Sequence, residues 1–477
     1  MLVERLKFLA RDAAVYGLAG ALNKALALIT FPLLARHFSM DDYGVIDLLN
    51  TLLVLITTLL VFGQDSAVAR YFFEDTSDVY RRQVASQSLA LQAGVVLCAL
   101  PVMWMSAQQF APALSGRAEG DVVFKLMLLQ APGFLSVNFS QGILKWTFKR
   151  WKFLFISVGS TVATLIGLAV AIGVFRLDIV GVFAIYLIVR TLFGLVGLWF
   201  IRKWLRLPSG VDRLKDLVRF AWPYGTICVL SAAMPVLERG VIMGMLGPRE
   251  LGLYAVGAKV ATLISLPINA FETAWSPFAL SIHKQKGADK TYSVVLETYA
   301  LLVLACVLGL TAFAGPIIRV LGSARYEDGV FVVFALCMGA AIQAIGAITE
   351  SGIMFSKKSY LKLYGYGAMV FFAFVSVPAL TRVFGIGGAA WAAMCSLLVR
   401  SFMEGWMAQR AHPIDWNYNV PLLLGLFTMA VGALHQATLG SFDVAGVSLV
   451  PLCGLMLLLA FRWHSLYTAY SVLLQRS

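Results

Sequence analysis

Residues 179–203 read IVGVFAIYLIVRTLFGLVGLWFIRK. From Ile179 to Phe200 there is no acid and a single base, Arg190, and the run closes on Arg202 and Lys203. That length and apolarity fit a helix across a hydrocarbon core of about 30 Å. Arg190 falls near its midpoint, where insertion scales put the cost of a cation at roughly 2.5–3.5 kcal/mol. Such a residue is expected to face a water-filled cavity or a partner. The flanking basic pair marks the end that stays in the cytoplasm.

The same pattern recurs in both directions. Apolar stretches of helical length lie at 13–35, 44–63, 84–106, 121–142, 153–174, 179–200, 217–247, 251–275, 294–315, 329–351, 361–381, 386–408, 418–438 and 444–461. The chain therefore predicts an all-α polytopic membrane protein with about 14 transmembrane helices. Pro223 and Pro235 predict a bend in the overlong seventh span. Composition agrees, because 60% of residues are hydrophobic and 13% charged, against about 25% charged in soluble domains. The net charge of +13 does not imply nucleic acid, since the bases fall between apolar runs and not on one soluble face.

With a cytoplasmic N-terminus, inside loops and tails hold about 25 Lys and Arg against 7 outside, so both termini are expected in the cytoplasm. The charged start, MLVERLKFLARDAA, and the long run after it with Asn23 and Lys24 argue against a cleaved signal peptide. All six cysteines lie in apolar segments without CxxC or His spacing, so neither zinc nor a disulfide framework is expected. Gly385-Ile-Gly387-Gly388 lacks a preceding strand and a following Walker lysine, so it is not read as a nucleotide loop.

The chain repeats itself weakly. Arg11-Asp-Ala-Ala-Val-Tyr16-Gly17 aligns with Arg219-Phe-Ala-Trp-Pro-Tyr224-Gly225, a shift of 219 − 11 = 208. Asp42-Tyr43-Gly44 meets Glu250-Leu251-Gly252 at the same shift. This predicts an N-lobe at 1–200 (helices 1–6), a cytoplasmic linker at 201–216 and a C-lobe at 217–408 (helices 7–12). Helices 13–14 and a cytoplasmic tail would follow at 409–477.

On these residues the chain resembles the polysaccharide-transporter branch of the multidrug/oligosaccharidyl-lipid/polysaccharide (MATE-like) exporter superfamily. The resemblance is carried by Phe31-Pro-Leu-Leu-Ala-Arg36, Asp42-Tyr43-Gly44 and Gly63-Gln-Asp-Ser-Ala-Val-Ala-Arg70-Tyr71-Phe72. In the second half it is carried by Glu238-Arg239 and Leu251-Gly252-Leu-Tyr254-Ala255-Val-Gly-Ala-Lys259. Similar proteins usually show Asp-Arg where this chain has Glu238-Arg239. The resemblance implies a bacterial inner-membrane flippase for lipid-linked O-antigen or exopolysaccharide units, a secondary transporter and not an enzyme. Its partners would be a polyprenyl-pyrophosphate oligosaccharide, membrane lipids, and glycan polymerase or other assembly proteins.

Five bases lie deep inside the apolar runs, away from their ends: Lys24, Arg190, Arg239, Lys259 and Arg400. Together with Asn23, whose amide suits sugar hydroxyls, they form the expected substrate-binding set of a cationic cavity for an anionic passenger. Guanidinium binds phosphate bidentately, and Lys acts as a point charge. The plainer reading is that each base pairs with an acid and fixes helix packing. That reading is strongest for Arg400, with Glu404 one turn on. Glu238 stands beside Arg239, but adjacent residues point about 100° apart on a helix. Asn23 could equally be glue between helices. Glu238 and Glu272 are the candidate sites for a coupling proton or sodium ion, and no other cofactor is expected. Asp47 and Glu350 read as interfacial, His435 as packed, and 64–80 as a segment along the cytoplasmic interface.

Rival readings are a peptidoglycan lipid-precursor flippase, and a cation-coupled multidrug exporter, which would need an acidic pocket. A membrane-embedded glycan polymerase or ligase is a different class. It would need a substantial outer loop, whereas the longest outside connections, 107–120 and 316–328, run to about 14 residues.

Overall fold

The computed structural model describes residues 2–115, 120–206, 213–439, 443–444 and 447–460. Residues 207–212 of the expected linker and the expected tail beyond 460 lie outside the described residues. The chain is helical almost throughout. The first helices are α1 (Leu2–His37), α2 (Met40–Val61), α3 (Gln64–Tyr71), α4 (Asp78–Ser115), α5 (Gly120–Trp146), α6 (Arg150–Gly173) and α7 (Ile179–Ile201). They are followed by α8 (Leu214–Met245), α9 (Pro248–Ala261), α10 (Ser265–Ile282), α11 (Ala288–Ala312), α12 (Ala314–Leu321) and α13 (Val330–Thr349). The last are α14 (Ser351–Phe355), α15 (Lys362–Ala411), α16 (Asn419–Ala437) and a helix at Leu449–Ala460, here α17. A two-residue antiparallel pairing of Asp443–Val444 with Val447–Ser448 precedes α17.

Twelve of the described helices are long and apolar enough to cross a membrane. One of them, Ser359–Ala411, holds two expected spans, 361–381 and 386–408. They are divided at Gly385, whose φ of 59° and ψ of −143° interrupt the helix. With α17 at the place of the last span, about fourteen crossings is compatible with the structure. The eighth span is broken by a 3-10 turn at Thr262–Ile264, which the hydropathy did not foretell. Helix α8 runs on through Pro223 and Pro235.

Boundaries follow local chemistry. Ser39 caps α2 by accepting from the Asp42 amide at 3.1 Å, and Asp41 and Asp42 favour the positive end of that helix. Asp178 caps α7, accepting from the Gly181 amide at 3.1 Å. Phe62 and Gly63 both take left-handed backbone, at φ 43° and 73°, turning the chain from α2 into α3. A Cβ on Gly63 would stand 2.5 Å from the Gly225 amide nitrogen. Backbone therefore meets backbone there, with the Phe62 ring alongside.

Two compact units divide the chain, residues 1–240 and 241–477. In the first, Ala67, Val68 and Phe72 at α3 join Val84, Ile143, Leu144, Ile156, Ile201 and Leu217 in one buried cluster. The segment after α2 is thus amphipathic and anchored in a core, with Asp65, Arg70 and Phe73 left outside. In the second, Tyr254, Tyr292, Tyr326 and Phe334 are fully buried. The opposite extreme is equally informative. Met105 and Trp151 are each 81% exposed and Phe371 76%, a surface stable only in lipid. Between such helices lipid tails are as apolar as leucine, so close packing and polar contacts, not water exclusion, hold the bundle.

Candidate functional site

Arg190 is held near the middle of α7 by its neighbours on α5 and α7. Its guanidinium carbon lies 5.3 Å from the centre of the Phe134 ring and 5.2 Å from that of Tyr186. Its Nη1 donates to Gln130 Oε1. Gln130 is completely buried, and its own Nε2 donates to the carbonyls of Leu126 at 3.2 Å and Phe183 at 3.3 Å. The amide is thereby fixed with its oxygen toward the arginine. Arg190 makes no ion pair with a carboxylate among the described residues. Cation–π attraction of about 0.5–2 kcal/mol per ring offsets part of the insertion cost, and the charge stays uncancelled.

Arg239 is different. Its Nε donates to Asp47 Oδ2 at 2.6 Å, its Nη1 to the Pro235 carbonyl at 3.3 Å, and Glu238 Oε2 stands 3.9 Å from Nη1. Asp47 and Glu238 are each 7% exposed. Asp47 is therefore a buried partner and not an interfacial acid. Glu238 reaches the same guanidinium despite pointing off at another angle. One guanidinium thus lies between two carboxylates at this α2–α8 site.

Asn23 sits between α1 and α6. Its Nδ2 donates to Ser157 Oγ at 2.7 Å, and its Oδ1 accepts from Thr161 Oγ1 at 3.0 Å. Both ends of the amide serve helix packing. Lys24 beside it is exposed.

In the second unit, Lys259 is exposed in the last turn of α9, and the hydroxyl of Thr262 donates to its carbonyl at 2.6 Å. Glu272 is half-buried on α10. Arg400 pairs with Glu404 as the spacing predicts, its Nε 3.1 and 3.2 Å from the two carboxylate oxygens. Its guanidinium carbon lies 3.9 Å from the centre of the Tyr366 ring. Glu350 is drawn in as well, with Lys362 Nζ 2.7 Å from its Oε1. His435 is packed, its Nδ1 2.9 Å from Ser448 Oγ.

The five bases thus occupy three environments: exposed for Lys24 and Lys259, ion-paired for Arg239 and Arg400, and cradled by neutral groups for Arg190. Gln130, Phe134 and Tyr186 escaped the sequence reading because they are neutral residues in apolar runs. Gln130 is 60 positions from the arginine it orients.

A bundle of this kind, with charge held inside its spans, defines a polytopic helical transporter fold. It is the fold of a lipid II flippase MurJ structure in an inward closed conformation, at TM-score 0.73 and 15% identity, covering 95% of this chain and 100% of that one. An inward-facing multidrug resistance MATE family transporter of the MOP superfamily follows at TM-score 0.66 and 15% identity, covering 81% of this chain and 94% of that one.

The chain belongs to the polysaccharide biosynthesis protein family, whose model matches residues 9–283. The succinoglycan biosynthesis transport protein ExoT of Rhizobium meliloti is 23% identical over 422 residues, covering 84% of this chain and 79% of ExoT. An uncharacterized membrane protein of Haemophilus influenzae is 24% identical over 283 residues, 58% of this chain and 66% of that protein. A second protein from that organism, Lsg locus putative protein 1, is 22% identical over 293 residues, 58% of this chain and 67% of its own length.

Proposed function

We propose that this protein is a flippase that carries an anionic, polyprenyl-pyrophosphate-linked oligosaccharide across the bacterial inner membrane by alternating access, as a secondary transporter and not an enzyme. The observation that carries the reading is Arg190, a guanidinium deep in a membrane span with no carboxylate partner among the described residues. A diphosphate would supply the missing negative charge, and a planar donor fork suits its oxygens. Attraction at that depth is stronger than in water because the local dielectric is low. Family membership and the likeness to ExoT support a polysaccharide-pathway passenger. The basic loops support cytoplasmic termini. A coupling ion, and assembly partners such as a glycan polymerase, belong to the same reading.

The multidrug-exporter reading has one observation in its favour, the two buried carboxylates beside Arg239. Flipping of a fluorescent polyprenyl-pyrophosphate oligosaccharide in proteoliposomes separates the two. A hydrogen bond to a charged group contributes about 1.5–3 kcal/mol, so Arg190→Gln should slow flipping roughly tenfold to hundredfold. Arg190→Lys, keeping charge without the fork, should fall between. Unimpaired flipping by folded Arg190→Gln would remove Arg190 from the binding role. Export of organic cations without glycan movement would replace the reading altogether.

A further inference from the structure

We propose that Gln130 is the positioning residue that sets the specificity of the Arg190 site. It is a neutral acceptor that holds the guanidinium by one corner, keeps its charge uncancelled and leaves its side-on fork to a diphosphate. The nature of the ligand rests on the flippase reading above; the role of Gln130 toward Arg190 does not.

The site is built where α5 and α7 meet at backbone distance. A Cβ on Gly133 would lie 2.8 Å from the Arg190 carbonyl carbon, and one on Gly194 would lie 3.0 Å from the Gly133 carbonyl oxygen. Small residues permit such close approach of membrane helices, so the Arg190 side chain starts out against α5. Gln130 and Phe134 are four apart on α5, and Tyr186 and Arg190 four apart on α7, so each pair shares a helix face. The amide and the two rings therefore converge on one guanidinium.

Only one orientation of the amide fits. Its Nε2 carries two hydrogens, and the carbonyls of Leu126 and Phe183 take both. The oxygen that remains accepts from Arg190 Nη1. A flipped amide would set oxygen against two carbonyls and its donors against a cation. Nη1 being occupied, the edge formed by Nε and Nη2 is left over. Neither atom makes a hydrogen bond among the described residues, and neither is closed off from the surroundings. The two N–H groups of that edge point the same way, the geometry that grips an oxyanion bidentately.

The choice of an amide over an acid is what carries specificity. After Asp121, α5 holds no acid, and α7 holds none at all. A glutamate at position 130 would reach the same corner, but it would also cancel the charge that an anionic ligand needs. Glutamine orients the arginine without competing for it. The uncancelled cation attracts a diphosphate and, by like-charge repulsion, turns away an organic cation.

Gln130→Glu and Gln130→Met separate this role from packing. Both lose the bonds to the Leu126 and Phe183 carbonyls, so a packing role would affect them alike. The first readout is modification of Arg190 by phenylglyoxal, followed by mass spectrometry of its peptide from the full-length protein in detergent. Arg190 should be labelled in the parent and at least as fast in Gln130→Met. In Gln130→Glu it should be labelled roughly tenfold or more slowly, being tied in a charged hydrogen bond. An unlabelled Arg190 in the parent, equal rates in the parent and Gln130→Glu, or equal slowing in both variants overturns the proposal.

The second readout is the melting midpoint with farnesyl diphosphate as the probe. At a hundredfold excess over Kd the parent should rise by about 5–11 °C. Gln130→Met should rise by less, and Gln130→Glu should not respond. A response of Gln130→Glu equal to that of the parent overturns its part in specificity. If labelling separates the variants while neither farnesyl diphosphate nor a lipid-linked glycan moves the parent midpoint, Gln130 keeps its role toward Arg190 and the diphosphate reading falls.

Discussion

Asp47→Asn tests the ion pair that joins α2 to α8. The bond removed is a charge-assisted one of 2.6 Å between side chains that are 7% and 11% exposed. Deleting one partner of a fully buried pair costs about 3–5 kcal/mol because the other charge is stranded. Here Arg239 keeps the Pro235 carbonyl at 3.3 Å and Glu238 at 3.9 Å, so the loss should be nearer the 1.5–3 kcal/mol of one charged hydrogen bond. For a cooperative unit of 150–250 residues each kcal/mol moves the midpoint about 2–4 °C. Thermal unfolding of the purified protein in detergent should therefore show Asp47→Asn lowered by about 3–12 °C. Glu238→Gln, losing only the longer contact, should fall by less. The decisive comparison is a double-mutant cycle, because coupling appears as non-additivity. In an Arg239→Gln background, Asp47→Asn should have little further effect. Fully additive losses would mean that the two side chains do not depend on each other, and the reasoning from their distance would be wrong.

Two glycines, Gly63 and Gly17, should behave in opposite ways. Gly63→Ala puts a Cβ at φ 73° and against the Gly225 backbone, costing upward of about 1–2 kcal/mol for the backbone alone, and should reduce accumulation of folded protein. Gly17→Ala, where nothing lies within 4 Å of an added Cβ, should leave accumulation unchanged; size-exclusion profiles compare the two. Asn23→Leu loses the bonds to Ser157 and Thr161. Interhelical hydrogen bonds in membranes contribute about 0.6–2 kcal/mol, so melting should drop modestly while transport per folded molecule is retained. A selective loss of transport would return Asn23 to the binding set.

Hydropathy made the spans legible because lipid imposes one condition on every segment that crosses it, whatever its neighbours. Spacing made Arg400–Glu404 legible because both partners share a helix face. The same logic could not reach Asp47, which lies 192 positions from Arg239. Nor could it reach Gln130, whose partner is on another helix. In a bilayer, which face of a helix meets which neighbour is set by shape and by scattered polar contacts, and neither leaves a strong period in the sequence. For the same reason Asn23 could be read equally as ligand or glue until its two hydroxyl partners were placed. Glu350, at the end of its span, looked like any interfacial acid; only the return of the chain into α15 sets Lys362 Nζ 2.7 Å from its Oε1.

The Gly63–Gly225 crossing has a mechanical consequence. Main chain approaches main chain there with the Phe62 ring alongside, its centre 5.5 Å from that of Trp222, so the two segments sit as near as their backbones permit. From Gly225 to Arg239 is 14 residues of α8, about 21 Å at the helical rise. The helix is therefore tied at two separate points, by a close backbone crossing at Gly225 and by an ion pair at Arg239. Neutralising Asp47 removes the second tie and leaves the first.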